Sequence, residues 1–234
     1  MKRMGFLSLA FATVVAVGCN GNNHKDIAAA RPAGDPSAVG TAGEADRNKV
    51  SSGDKDIVRD LTIANMAEVE LGKMANERST NAEVKKFGQM MVDDHTAAGD
   101  KLKAVASQHN IPVPTALDEK HIELRDKLAK LQGADFDREY SSAMADGHEA
   151  VLDKLGSRVD KADLAKWKTE TTERVSGQKV TERVHATTIL PEKSDNPVTM
   201  SINQWAADAY PTVQVHLDAA KALDGGLKRT NTTR

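Results

Sequence analysis

The sequence predicts an all-α protein: a four-helix bundle with an extra short helix and an insertion before the last helix. Three observations lead there. Of 234 residues, 39% are hydrophobic and only 3% aromatic, and the β-branched and aromatic residues that favour sheets are sparse and scattered. Four long stretches repeat apolar residues at three- and four-residue steps. Capping residues, prolines and glycines separate those stretches. Composition also excludes classes of function. With 32 basic and 34 acidic side chains the net charge is -2, which gives no electrostatic case for nucleic acid, and no aromatic-basic platform is present to stack bases. A single Cys excludes an internal disulfide and a multi-cysteine zinc site.

The first helix opens after Ser51-Ser52-Gly53-Asp54, which supplies N-cap chemistry. Ile57, Leu61, Ala64, Leu71 and Ala75 share one face, with Glu68 in its middle, and the helix should end near Arg78-Ser79. The second starts after Thr80-Asn81 and carries Val84, Phe87, Met91, Ala98, Leu102 and Val105. Asp94 fills the gap in that stripe and His95 is placed at its edge. Asn110 to Pro114, with two prolines, should stop it. A shorter helix follows over 118–131; Gly133 is expected to end it and Asp135 to cap the next. That next helix, over about 136–158, places Phe136, Tyr140, Met144, Gly147, Val151 and Leu155 inward, with His148 at the edge. The last, over about 198–228, shows Ile202, Trp205, Ala209, Val213, Ala220 and Leu223, with His216 in the stripe and a kink expected at Pro211. Four such helices pack most economically as a bundle over 54–228, followed by a tail at 229–234. The insertion spans 161–197: helical over 162–175, then an extended segment over 179–190 packed on the bundle.

Ahead of the bundle the sequence reads as an export signal and a tether. Lys2 and Arg3 supply a positive end, and Met4 to Gly18 form an apolar run too short to span a bilayer comfortably. Val15-Ala16-Val17-Gly18-Cys19 resembles a bacterial lipobox, with Ala16 where Leu is usual. The resemblance implies cleavage of a signal peptide over 1–18, lipidation of Cys19, and a mature chain that starts there. Acyl chains would hold it to a membrane, each buried CH₂ contributing about 0.8 kcal/mol. Asn20 in place of Asp points to the outer membrane rather than the inner, with the protein facing the periplasm. Residues 19–53, rich in Asn, Gly, Ala, Pro and Ser with no apolar period, read as a disordered tether.

One feature rises above a generic bundle. Each long helix sets an ionisable or coordinating residue on or beside its apolar face: Glu68, the Asp94-His95 pair, His148 and His216. Charged groups are rarely buried unless paired. Carboxylates and imidazoles from facing helices are what iron, copper, manganese or zinc sites in bundles require. The competing reading is a metal-free polar layer that fixes helix register. The Glu-x-x-His pattern of di-iron bundles is absent, since Val92, Ala145 and Val213 precede His95, His148 and His216 by three. His24, His109, His121 and His185 read as loop or surface residues. Asp137 and Tyr140 read as capping and core groups, and Met66, Met74, Met90, Met91 and Met144 as core filler. No phosphate loop, nucleophile elbow or catalytic triad is present, so nothing supports an enzyme.

Taken in order, Ala67-Glu68-Val69-Glu70-Leu71-Gly72-Lys73-Met74-Ala75, Met91-Val92-Asp93-Asp94-His95, Phe136-Asp137-Arg138-Glu139-Tyr140 leading to His148, and Tyr210-Pro211-Thr212-Val213-Gln214-Val215-His216-Leu217 resemble the bacterial domain-of-unknown-function family 4142. Its members are also labelled predicted outer membrane proteins and commonly follow an export signal. The resemblance spans roughly Asp54 to Ala222 and implies a ferritin-like up-and-down bundle. Its recurrent polar positions fall on Glu68, Asp94, His95, His148 and His216. The stretch 161–197 is longer than the connection the family leads one to expect. Two functional expectations result. One is a lipid-anchored envelope protein whose bundle binds a transition metal, in metal handling or stress response. The other is a metal-free structural or interaction module that meets an envelope partner.

Overall fold

The computed structural model describes residues 48–175 and 188–232. The expectations for the leader 1–18, for Cys19, for His24 and the tether as far as residue 47, and for 176–187 with His185, lie outside the described residues. Among these, six helices follow in order: α1 Ser52–Arg78, α2 Ala82–Gln108, α3 Glu119–Leu128, α4 Gly133–Gly156, α5 Lys161–Val175 and α6 Pro197–Thr232. None is long and apolar enough to cross a membrane.

Local chemistry sets most of these boundaries. The Ser51 side chain caps α1 by accepting from the Asp54 amide, and Asn81 caps α2 by accepting from Glu83 and Val84. Asp118 caps α3 through the His121 amide. Pro197 opens α6, where it costs no hydrogen bond, and Asn196 Oδ1 accepts from the Val198 and Thr199 amides. Two boundaries differ from the sequence reading. Gly133 does not end α3; with φ 55° it is the first residue of α4, its left-handed backbone turning the chain into the helix. The cap residue is Gln132, and Asp135 sits in the first turn, paired with Arg138. The last helix also continues past Lys228, to Thr232, with Pro211 inside it.

The pairings fix the topology. α1 and α2, joined by three residues, run antiparallel: Asn65 meets His95 and Asn76 meets Gln89. α1 and α4 run antiparallel too, with Asp54 bonded to Arg158, Asp60 to Lys154, and Arg78 to the Leu131 carbonyl. α4 and α6 pair at Glu149–Lys221 and His148–His216, and α2 faces α6 at Asp94–His216. Asp54 at the start of α1 bonds Thr199 at the start of α6, so α6 runs with α1; each helix thus neighbours two antiparallel partners, while α2 and α4 share a direction. The chain must cross the length of the bundle between them, and α3 lies on that crossover, packed against α1 and α4. One long crossover is the connectivity of ferritin-like bundles. Beyond α4, α5 buries Leu164 and Trp167, and the Trp167 ring stands edge-on to Tyr210 at 5.7 Å. Of the expected extended segment only 188–190 are described, and there Ile189 is buried; just beyond, Pro191 forms an isolated antiparallel bridge with Val159, between α4 and α5.

At one end of the bundle the fully buried Asp54 carboxylate accepts from Ser51 Oγ at 2.8 Å, Thr199 Oγ1 at 2.8 Å and Arg158 Nη1 at 2.7 Å. It thereby ties α1 to the start of α6 and the end of α4. Burial alone would disfavour its charge, but these hydrogen bonds outweigh that and hold its carboxyl below the ordinary range. Towards the other end, about two turns from the α1–α2 connection, α1 and α2 come together at two glycines. A β-carbon on Gly72 would stand 2.5 Å from the Gly88 carbonyl, and one on Gly88 would stand 2.7 Å from Ala75 Cβ.

That approach gives a test. Gly72→Ala forces the helices apart and should cost about 1–3 kcal/mol. Gly226→Ala on α6, whose β-carbon meets nothing within 4 Å, should be neutral or stabilising by up to about 1 kcal/mol. Urea unfolding midpoints of the two variants compare these outcomes directly.

Candidate metal centre

The central side chains come from the four long helices, and the faces that carry them are set by small residues as much as by large ones. On α2 the buried positions are Val84, Phe87, Gly88, Met91, His95, Gly99, Leu102 and Ala106, spaced by threes and fours apart from the adjacent Phe87 and Gly88. Gly88 and Gly99 add nothing to an apolar stripe, so a pattern read from large residues leaves a gap at Asp94. The structure corrects this placement: His95 faces inward at 6% exposure, while the Asp94 side chain is 45% exposed. On α4 the buried run Met144, Ala145, His148, Leu152 and Leu155 puts His148 in the middle of the face rather than at its edge. On α6, His216 lies between the buried Val213 and Ala220, as its stripe predicts.

The three imidazoles converge. A ring nitrogen of each of His95, His148 and His216 lies within 4.8 Å of those of the other two, and their ring centroids are 5.1–5.5 Å apart. Each ring is held from behind by one oxygen. His95 Nδ1 is 3.0 Å from Asn65 Oδ1, His148 Nδ1 is 2.7 Å from the Met144 carbonyl, and His216 Nε2 is 2.8 Å from Asp94 Oδ2. The Asn65 amide donates to the Leu61 carbonyl at 2.8 Å, which fixes its oxygen towards His95. A carbonyl, a carboxylate and an amide oxygen can only accept, so the nitrogen facing each of them carries the proton. The remaining nitrogens, Nε2 of His95, Nε2 of His148 and Nδ1 of His216, are buried without a hydrogen-bond partner. Three buried rings, each with one nitrogen free of hydrogen bonds, are thus gathered in one place by four helices. Imidazoles whose second nitrogen donates to an oxygen are the arrangement of metal-ligating histidines. On a tetrahedral ion at about 2.0–2.1 Å, nitrogens sit roughly 3.4 Å apart, so these rings close on an ion by side-chain movement on the order of an ångström.

The two carboxylates of the sequence-derived set stand outside that cluster. Asp94 is the acceptor behind His216. Glu68 is buried at 6% exposure, with Oε1 3.8 Å from His148 Nδ1, the nitrogen bonded to Met144. Its Oε2 has no hydrogen-bond partner, and its other side lines a cavity of about 280 Å³ between α1, α3 and α4, where Lys120 and His121 also reach. His121 is therefore a half-buried helix residue rather than a loop residue. Burial pushes the Glu68 carboxyl up, against the opposing pull of His148 and His121. Tyr140 packs face to face on Phe136 at 5.4 Å and is a core residue, as read from the sequence. Asp137 is buried beside Ser79, and that burial raises its carboxyl. Asn65 went unread in the sequence, although Leu61-x₃-Asn65-x₂-Glu68 places it on the buried face; an uncharged polar residue there carries no charge signal to mark it.

Burial shapes the electrostatics of the cluster. The His95 ring lies well below the ordinary imidazole range, first through loss of solvent and then through the neighbouring His148 and His216. His216 is lowered to about 4, chiefly by burial, with Asp94 pulling the other way. Both rings are therefore neutral at neutral pH, the state in which imidazole binds metal.

Fold and site together define a class: a crossover-connected helical bundle with a buried three-histidine cluster at its middle. A family model described as Domain of unknown function (DUF4142) matches residues 39–181, and the chain belongs to that family. The match takes in α1 to α5 and the positions of Glu68, His95 and His148, while α6 and His216 lie beyond it. No curated protein and no solved structure matches the chain.

The neutral buried rings dictate a pH dependence. Unfolded, His95 and His216 bind protons near the ordinary imidazole value of about 6.5, whereas folded His216 binds only near 4 and folded His95 well below the ordinary range. The unfolded state thus holds more protons between these values, and stability falls as pH drops from about 6.5 towards 4. Thermal unfolding of metal-free protein at pH 7 and pH 5 should show a lower midpoint at pH 5, with a smaller drop in His216→Asn.

Proposed function

We propose that the protein binds one transition-metal ion on His95, His148 and His216, as a lipid-anchored protein of the bacterial envelope that serves metal handling or stress response. The observation that carries the metal reading is the pattern of ring nitrogens: on each histidine one is tied to an acceptor and the other is buried and unpartnered, and one nitrogen of each ring lies within 4.8 Å of those of the other two. A polar layer built only for packing gains nothing by leaving three such groups unpaired, since each costs about 1–3 kcal/mol of desolvation. Three imidazoles suit zinc, copper and iron better than manganese, which prefers oxygen. Asp94 and Asn65 would orient two of the ligands, and Glu68 would set a carboxyl behind the third. The envelope placement rests on Lys2, Arg3, the apolar run to Gly18 and Cys19.

The metal reading is tested on the full-length chain extracted in detergent, by elemental analysis after loading with zinc, copper or iron. The expected content is about one ion per chain, lost in the His95→Ala/His216→Ala double variant. Asp94→Asn should weaken binding roughly 10–100-fold while leaving the fold intact. A folded protein that takes up none of these metals overturns the reading.

The anchor is tested separately. Cys19→Ser should abolish incorporation of labelled fatty acid and release the protein from the membrane fraction; a variant that stays lipid-labelled sinks the lipoprotein assignment.

A further inference from the structure

Glu68 turns one side to His148 and the other to the cavity of about 280 Å³ between α1, α3 and α4. We propose that this cavity binds a small aliphatic primary ammonium ion, whose charged head pairs with the Glu68 carboxylate and whose carbon chain packs on the apolar part of the wall. None of the three histidines lines this cavity, so the proposal does not depend on the metal reading above.

Three observations carry it. The first is an unmet charge. A carboxylate taken out of water needs a cation or several hydrogen bonds, and Glu68, at 6% exposure, has its Oε2 enclosed with no partner. The cationic side chains nearby are directed elsewhere. Arg125 pairs with Glu70 and Asp126, and Lys127 with Glu139. His121 turns Nδ1 to Asp118, His148 gives Nδ1 to the Met144 carbonyl, and Lys120 is exposed. A partner for this carboxylate therefore comes from outside the chain. The second is access. Gly147 is part of the cavity wall, and a β-carbon on it would stand 3.4 Å from Glu68 Oε1. That oxygen, rather than the enclosed Oε2, lies at the wall. The third is the nature of the space. At 280 Å³ it equals the liquid volume of about nine waters and falls just short of pockets for drug-sized molecules, which suits a head group with a few carbons. Leu71, Leu124 and Met144 give it an apolar side. The exposed Asp146, also on the wall, adds a second carboxylate that favours a cation over an anion.

The test uses the full-length, metal-free chain in detergent, with isotope-labelled methionine methyl groups observed by NMR, titrated with butylammonium chloride. The Met144 methyl, on the cavity wall, should shift in a single saturable step. Butanol and butyrate, of the same chain length, should bind about tenfold or more weakly. Glu68→Gln, which keeps the shape and removes the charge, and Ala143→Leu, which fills the cavity from α4, should each weaken butylammonium binding by about tenfold or more. A Met144 signal that butylammonium leaves unchanged overturns the proposal. Butanol that binds as well as butylammonium, or Glu68→Gln that binds butylammonium as wild type does, overturns the carboxylate as the group that reads the ligand. Undiminished binding in Ala143→Leu overturns the cavity as the site. Tighter binding of butyrate than of butylammonium overturns the proposal in favour of an anion held by Lys120.

Discussion

Three imidazoles in the middle of an apolar bundle must be held in place, and here each is held by a single acceptor oxygen on its outer nitrogen. Those oxygens come from three kinds of group on three helices: an Asn side chain on α1, a carboxylate on α2 and a main-chain carbonyl on α4. The bonds decide the tautomer of each ring and turn the remaining lone pairs inward. They also couple the helices, since His95 is set by α1, and His216 by α2. The geometry of the centre is therefore a property of the whole bundle, and a shift of any one helix changes which way a ring points.

The glycines serve that arrangement. Gly72 and Gly88 let the α1 and α2 backbones approach until a β-carbon would collide with a carbonyl. Gly99 sits one turn beyond His95, where an added β-carbon would meet Asn65 at 3.6 Å. Close backbones shorten the reach that Asn65 needs to touch His95. At the far end the Asp54 network joins three helix ends through one buried carboxylate, which fixes the axial register of α1 against α4 and α6. Register matters because the histidines sit near the middle of helices of 24 to 36 residues, where an axial slip of one residue, about 1.5 Å, exceeds the tolerance of a metal site.

Much of this was legible in the amino-acid order. Helices, caps and stops followed from Ser51 and Asn81 and from apolar residues at three- and four-residue steps, because capping and burial act through near neighbours. The polar residues on or beside those stripes marked Glu68, His148 and His216 as out of place in a core. The family also showed in the sequence, through motifs spread over the helices. Gly133 was misread as a stop because glycine with a positive φ can close one helix or lead into another, and the sequence does not say which.

What only the tertiary structure decided is the division of labour inside the polar set. Sequence placed Asp94 in the stripe and His95 at its edge, because Gly88 and Gly99 are invisible to hydropathy; helix packing turned the face by one residue and brought His95 in. Sequence grouped two carboxylates with three histidines as equals, and packing put the carboxylates behind the rings. The reason is physical. A residue's place on its own helix follows from local spacing, whereas the directions of the His95 and His216 rings depend on partners 30 and 122 positions away, which come into reach only when the helices have closed on one another.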